Sequence, residues 1–296
     1  MRPGAPRGSS WGVWGDADRL GCLNLLNTGR TVEAAGLVRK GSVFAMNWDM
    51  GLPDPPLFGR AAFEHQVHWL QNEVGHDDEL SGWNTQSSSQ WDGFRHIRSA
   101  AYGFYGGVPD EDHGIHHWAE RGLAGRAVLL DVARWRESDG RPLHCDQPDP
   151  IEPEDLAATA RAQGVEVREG DVLLIRTGWI SWYGGLGAEQ RKALATDLKT
   201  PGLRPGDATA RMLWDMHVAA VAGDNPALEV WPPGSLATPE QLQQALGDPD
   251  RALEIFVHFS LLPLLGLPIG EMWYLDALAE DCASDGVYEG FFTSAP

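Results

Sequence analysis

The sequence predicts an α/β fold in which a mainly parallel or mixed sheet is covered by helices. Apolar runs of strand length at 127–131 and 171–176 alternate with segments that have the apolar spacing of helices. Hydrophobic residues make up 43% of the 296-residue chain, which is enough for a buried core. Pro and Gly recur without a long linker, and no repeat of fixed period is present. A single domain over residues 1–296 is therefore expected.

The amino-terminal part is predicted to form two helices and three strands. The helices are expected at 30–40, where Gly41 follows as a stop signal, and at 115–121. The strands are expected at 42–47, 63–70 and 84–90, with an acidic loop at 73–81 between the last two. The strand at 84–90 is rich in Ser, Thr and Gln, as a strand that faces a site could be.

The carboxy-terminal part is predicted to alternate helix and strand. Pro153 suits the first position of a helix, and Gly164 ends it before the strand at 171–176. The other predicted elements are helices at 205–217 and 251–265 and strands at 127–131, 218–222 and 268–275.

Charge and hydropathy exclude several classes of function. The chain has 23 Lys and Arg against 42 Asp and Glu, a formal charge of −19, which repels nucleic acid and anionic lipid. The longest apolar run, 255–267, is broken by His258, Ser260 and Pro263 and is too short to span a membrane. The amino-terminal residues lack the apolar core of a signal peptide, so the cytoplasm is the expected location. Three separated cysteines predict no disulfide framework.

The segment 86–96, Gln-Ser-Ser-Ser-Gln-Trp-Asp-Gly-Phe-Arg-His, is the most informative for chemistry. A Gly-containing turn can direct Asp92 and His96 into one cavity, where such a pair can bind a divalent cation or transfer protons. On composition alone, the simpler interpretation is that Asp92 caps a turn and that His96 is an ordinary half-buried histidine.

The same segment resembles the hallmark motif His-x-Gly-Thr-His-x-Asp-x-Pro-x-His of the "Putative cyclase" family, which includes bacterial kynurenine formamidases and isatin hydrolases. Asp92 matches the motif aspartate, and His96 matches its last histidine. Further blocks resemble the family in the expected order. They lie at 11–16, 23–26, 125–131, 170–178, 223–225, 258 and 268–271.

The resemblance implies a swivelling β/β/α fold of the kynurenine formamidase-like type, with a mixed barrel-like sheet flanked by helices. It implies a homodimer or homotetramer that acts on a small molecule. It also implies that Asp92, His258 and Glu271 are ligands of a divalent metal, Mn, Mg or Zn. His96, with Asp92, is the expected catalytic residue for proton transfer.

The sequence departs from this motif at two metal-ligand positions, where Gln86 and Gln90 replace histidines, and the motif proline is replaced within Gly93-Phe94. A glutamine oxygen suits manganese, magnesium or calcium better than zinc. The two glutamines could instead bind a substrate carbonyl. A weaker oxygen-rich metal site, a metal-free acid/base site and a site that binds without catalysis all remain open.

The favoured function is hydrolysis of an amide, lactam or lactone bond in a small aromatic substrate. The alternatives are cyclisation or dehydration of a polyketide-like intermediate, and ligand binding without catalysis. Five other histidines are not expected to bind metal: these are His65, His68, His113, His116 and His117. Arg176 and Asp224 lie at or near predicted strand ends, where α/β folds often place functional groups, but structural ion pairs explain such residues at least as often.

Overall fold

The computed structural model describes residue 2 and residues 4–296. The strands β1–β10 are Glu64–Trp69, His76–Ser81, Gln90–Asp92, Leu123–Asp131, Pro150–Ile151, Val172–Arg176, Gly202–Leu203, Ala220–Gly223, Ile269–Glu271 and Glu289–Ser294. The helices α1–α11 are Thr28–Ala35, His116–Arg121, Val132–Ser138, Pro153–Gln163, Trp179–Gly184, Ala188–Thr196, Asp207–Asp215, Pro239–Gly247, Pro249–Ala252, His258–Ser260 and Asp276–Asp285. Within the described residues, no helix has the length and apolar character needed to cross a membrane.

A six-stranded mixed sheet forms the centre of the fold, in the order β10-β4-β6-β8-β9-β3. Strands β4, β6, β8 and β9 are parallel, whereas β10 and β3 run antiparallel to their neighbours. Leu129, Leu173 and Val221 in the middle strands are at most 1% exposed, because helices cover the sheet. The predicted α/β class and the mixed sheet flanked by helices are confirmed.

The sheet curls until its two edge strands meet. Trp91 in β3 donates a hydrogen bond from Nε1 to Ser294 Oγ in β10 at 3.0 Å. Trp273 fills the space between these edges, since its ring stacks on Phe292 at 5.8 Å and meets Trp91 edge-on at 4.8 Å. This curvature gives the sheet its barrel-like form and brings β3 beside the carboxy-terminal strand.

Charged residues at the carboxyl ends of the parallel strands pair with one another. Arg176 bonds Asp131 at 3.0 Å and Asp276 at 2.8 Å. Asp224 is buried and accepts hydrogen bonds from Thr177 and from the Gly178 N–H. Arg176 is thus in a structural ion pair, whereas Asp224 is held by neutral donors.

Three predictions of strands or loops in the amino-terminal part were wrong. Residues 42–47 form no strand, and the predicted loop at 73–81 contains β2, which pairs with β1 in an exposed hairpin. Residues 84–89 form turns, so only Gln90–Asp92 is a strand. The reason is local, since Asn84 accepts hydrogen bonds from the backbone N–H groups of Gln86 at 2.9 Å and Ser87 at 3.0 Å.

The predicted helix at 251–265 was also wrong as a single element. It is divided into α9, α10 and a π-helical segment, Leu261–Leu265. Pro263 has no N–H to donate, which favours such irregular geometry. The last predicted strand is limited to Ile269–Glu271, and β10 was not predicted. The first helix begins at Thr28 and ends at Ala35, with Gly36 as its C-cap, so it is shorter at its end than the predicted 30–40.

Gly270 provides a test of how tightly β9 is packed. A Cβ at this position would lie 2.6 Å from a Trp273 ring atom and 2.7 Å from the Ala222 Cβ. We expect Gly270→Ala to lower the free energy of unfolding by about 1–3 kcal/mol, as overpacked cores do. Gly290→Ala in β10 is the control, because nothing lies within 4 Å of its added Cβ. Equal denaturation midpoints for the two variants would contradict this account of β9.

Candidate active site

Two paired strands and one short helix bring three ionisable residues together in the interior. Gln90 in β3 lies opposite Glu271 in β9, and Asp92 follows two positions later on the same face. His258 begins α10, and its Nε2 lies 3.2 Å from Glu271 Oε1 and 3.6 Å from Asp92 Oδ2. We call Asp92, His258 and Glu271 the buried triad, since each is at most 3% exposed. Their ligand atoms lie within 4.8 Å of one another.

Glu229 holds the histidine of the buried triad in place and was not among the predicted site residues. His258 donates from Nδ1 to Glu229 Oε2 at 2.8 Å, so Nε2 faces Asp92 and Glu271. Phe256 stacks on the imidazole with ring centres 4.6 Å apart and planes 9° from parallel. A signal was present, because Glu229 is a lone acid in the apolar run 227–231.

The buried triad contains two carboxyl groups and a single imidazole, and three of its carboxylate oxygens lack a donor within the part of the chain that the structure describes. Both Asp92 carboxylate oxygens and Glu271 Oε1 are buried, with no hydrogen-bond donor among the described residues. Burial, and then the Asp92 charge, raise the pKa of Glu271 to about 8. Burial lowers the pKa of His258, but Glu229 and the other carboxylates outweigh it and hold that pKa well above its usual value. A divalent cation fits this set of unpaired acceptors.

The two glutamines differ in position. Gln90 is buried and donates from Nε2 to Glu271 Oε2 at 2.6 Å, while its Oε1 has no partner among residues 4–296. Gln86 is half-buried, and its side-chain oxygen accepts a hydrogen bond from Thr85 at 2.9 Å. Both glutamines line one cavity, but of the two only Gln90 is bonded to a member of the buried triad.

His96 lies between the buried triad and that cavity, whose volume is about 890 Å³. Its Nε2 is 3.7 Å from Asp92 Oδ1, and its side chain is 28% exposed. Burial lowers the pKa of His96 and outweighs the attraction of Asp92, which favours the neutral imidazole. The cavity wall is partly aromatic, with Trp83, Trp91 and Trp273. A neutral imidazole at an aromatic cavity is a suitable proton acceptor.

Arg60 supplies positive charge near these acids and was also missed. Its guanidinium donates to the backbone oxygen of Gln86 and lies 4.6 Å from the centre of the Phe58 ring. Burial lowers its pKa, while Glu271 and Asp92 act in the opposite direction. No motif surrounds Arg60 in the sequence, so its position depends on the path of the preceding loop.

The other histidines considered from the sequence differ in exposure. His65 bonds Asp78 at 2.6 Å and His68 bonds Glu79 at 3.2 Å on the exposed hairpin. His116 is exposed, but His113 is only 4% exposed. His113 is therefore a buried residue, at the end of the 3-10 turn Asp110–Asp112.

Comparisons with known proteins agree with this fold. A novel cyclase of known crystal structure is similar, with 29% sequence identity and a TM-score of 0.80 over 97% of this chain and 92% of that chain. Isatin hydrolase A from Labrenzia aggregata, bound to benzyl benzoate, shares the fold with 17% identity and a TM-score of 0.55 over 89% of each chain. Isatin hydrolase A from Ralstonia solanacearum does so with 14% identity and a TM-score of 0.53, over 82% of this chain and 83% of that chain.

The search of curated proteins gave no significant match. The model of the "Putative cyclase" family matches residues 30–230, which is more than half of the sequence. The chain therefore belongs to the cyclase family.

Proposed function

We propose that the protein is a hydrolase that cleaves an amide, lactam or lactone bond in a small aromatic substrate. The observation that carries this proposal is the position of His96, which joins a buried group of acids to a partly aromatic cavity. The isatin hydrolases that share the fold support the same reaction type.

In this reaction His96 accepts a proton from a water molecule in the cavity as the water oxygen attacks the substrate carbonyl carbon. Asp92, 3.7 Å away, stabilises the imidazolium that forms. When the C–N or C–O bond breaks, His96 returns the proton to the leaving nitrogen or oxygen. The Gln86 side chain in the cavity wall can donate a hydrogen bond to a substrate carbonyl.

The buried triad fits a divalent metal, because three of its carboxylate oxygens have no donor among the described residues and the imidazole Nε2 is oriented toward them. Asp92, His258 and Glu271 would hold the ion, and the unpaired Gln90 oxygen offers a further neutral ligand. When bound, the metal would polarise the carbonyl or acidify a water. A set rich in oxygen favours manganese or magnesium over zinc.

We expect the purified protein to hold zinc at well below one ion per chain, and to bind manganese or magnesium only weakly. Gln90→His should raise zinc affinity by about 10-fold or more, since it restores an imidazole beside Glu271. Gln243→His on the exposed face of α8 is the matched control. Zinc retained at one ion per chain after dialysis of the unaltered protein would contradict this expectation.

The proposed reaction is tested with a panel of N-formyl arylamines, aryl lactams and aryl lactones, with the products identified by mass spectrometry. We expect products heavier by one water than their substrates. A product lighter by one water would favour cyclisation or dehydration instead. Binding of panel members without turnover, with and without manganese, would favour a ligand-binding protein.

A further inference from the structure

The orientation of the His258 ring depends on more than its bond to Glu229. That bond, 2.8 Å from Nδ1 to Oε2, fixes the direction of one ring nitrogen. A single hydrogen bond leaves the ring plane free to tilt about the line between these two atoms. Such a tilt would turn Nε2 away from Glu271 and Asp92, which lie 3.2 and 3.6 Å away. A second contact is therefore needed to fix the plane.

Phe256 provides that contact. Its ring lies almost parallel to the imidazole, with ring centres 4.6 Å apart and planes 9° from parallel. Tilting of the imidazole would pull one edge away from the phenyl ring and press the other edge into it, so the stack resists this motion. The hydrogen bond and the stack thus limit different rotations of His258. Together they keep Nε2 directed at the two carboxylates.

Phe256 is held in turn by aromatic rings that meet it edge-on. Trp231 lies 6.4 Å from it at 71°, and Phe259 lies 5.0 Å from it at 77°. Phe58 then meets Trp231 at 4.9 Å and 81°. Edge-to-face contacts of this kind are favourable for aromatic pairs. Because these rings come from separate parts of the chain, tertiary packing sets the position of Phe256.

We propose that Phe256 is a positioning residue of the candidate active site, whose stack on His258 holds Nε2 toward Asp92 and Glu271. It acts through His258 and takes no part in bond making or proton transfer. Phe256 lies between α9 and α10, in a segment that carries no recognised motif. The inference rests on the proposed function only in taking the buried triad as part of the site.

Phe256→Leu tests this role in the metal-free protein. Leucine keeps an apolar side chain but lacks the flat face, so the bond from His258 Nδ1 to Glu229 should open more often. In ¹⁵N-histidine NMR spectra, we expect the Nδ1 hydrogen of His258 to exchange with solvent about tenfold faster than in the wild-type protein. Phe256→Met also lacks the ring and should exchange as fast as Phe256→Leu. Phe256→Tyr retains the flat ring and should keep the wild-type rate.

Phe104→Leu is the matched control, because Phe104 is another half-buried phenylalanine, and its ring lies 6.4 Å from that of His113, outside the stack on His258. Both leucine variants should lower Tm, but only Phe256→Leu should change the His258 signal. An unchanged exchange rate in Phe256→Leu and Phe256→Met, or an equal increase in Phe104→Leu, would overturn the proposal. No metal is added and no turnover is measured, so a failure of the proposed hydrolysis would appear separately, in the substrate panel.

Discussion

Replacement of His96 by Asn is expected to lower kcat by about 100-fold or more on the substrate identified from the panel, with little change in Tm. The loss is typical for removal of a general base. Stability should be preserved because the His96 side chain is 28% exposed and lies 3.7 Å from Asp92, beyond hydrogen-bond distance. Steady-state kinetics and thermal denaturation of the same preparation provide the measurement.

His116→Asn is the control, because His116 is an exposed histidine outside the site. It should leave both kcat and Tm unchanged. An unchanged kcat for His96→Asn would remove His96 from the mechanism. A lowered Tm without a change in kcat would show that His96 serves only the fold.

Asp92→Asn is expected to raise the stability of the metal-free protein and to abolish its stabilisation by manganese. Both Asp92 oxygens are buried without a donor, and Glu271 Oε1 nearby is also unpaired. A neutral amide removes one buried charge and can donate to Glu271, so we expect a gain of about 1 kcal/mol. Manganese at about 100 times its Kd should stabilise the wild-type protein by about 2.7 kcal/mol and the variant far less.

Asp155→Asn is the matched control for the expected gain in stability. Asp155 is another buried acid, but it is paired with Arg136 at 3.0 Å and with Arg141 at 3.3 Å. Loss of its charge should therefore destabilise the protein. If Asp92→Asn lowered the unfolding midpoint in the way that Asp155→Asn does, the description of Asp92 as a buried carboxylate without a donor would be contradicted.

Most of the candidate site could be predicted from the sequence, but only through the family resemblance. Asp92 and His96 lie in one motif, whereas His258 and Glu271 lie far along the chain. The pairing of β3 with β9 brings Gln90 and Glu271 opposite each other, and no local pattern predicts that pairing. The order of the matching blocks supplied the missing long-range information.

Other features depended on contacts that the sequence alone does not show. The strand β2 is rich in acids, which disfavours strand prediction, yet cross-strand pairs such as His65 with Asp78 stabilise it. Glu229 and Arg60 reach the site from segments with no recognised motif. The burial of His113 depends on its bond to Tyr105, which no local pattern predicts.

The central claim is that Asp92, His258 and Glu271 form one site for a divalent cation. The most direct measurement is a crystal structure of the protein grown with millimolar manganese, with anomalous diffraction recorded at the manganese edge. We predict an anomalous peak within bonding distance of all three side chains, with the Gln90 oxygen turned toward it. A map without a peak among these residues, while they keep the positions described here, would contradict the claim and favour metal-free acid/base chemistry.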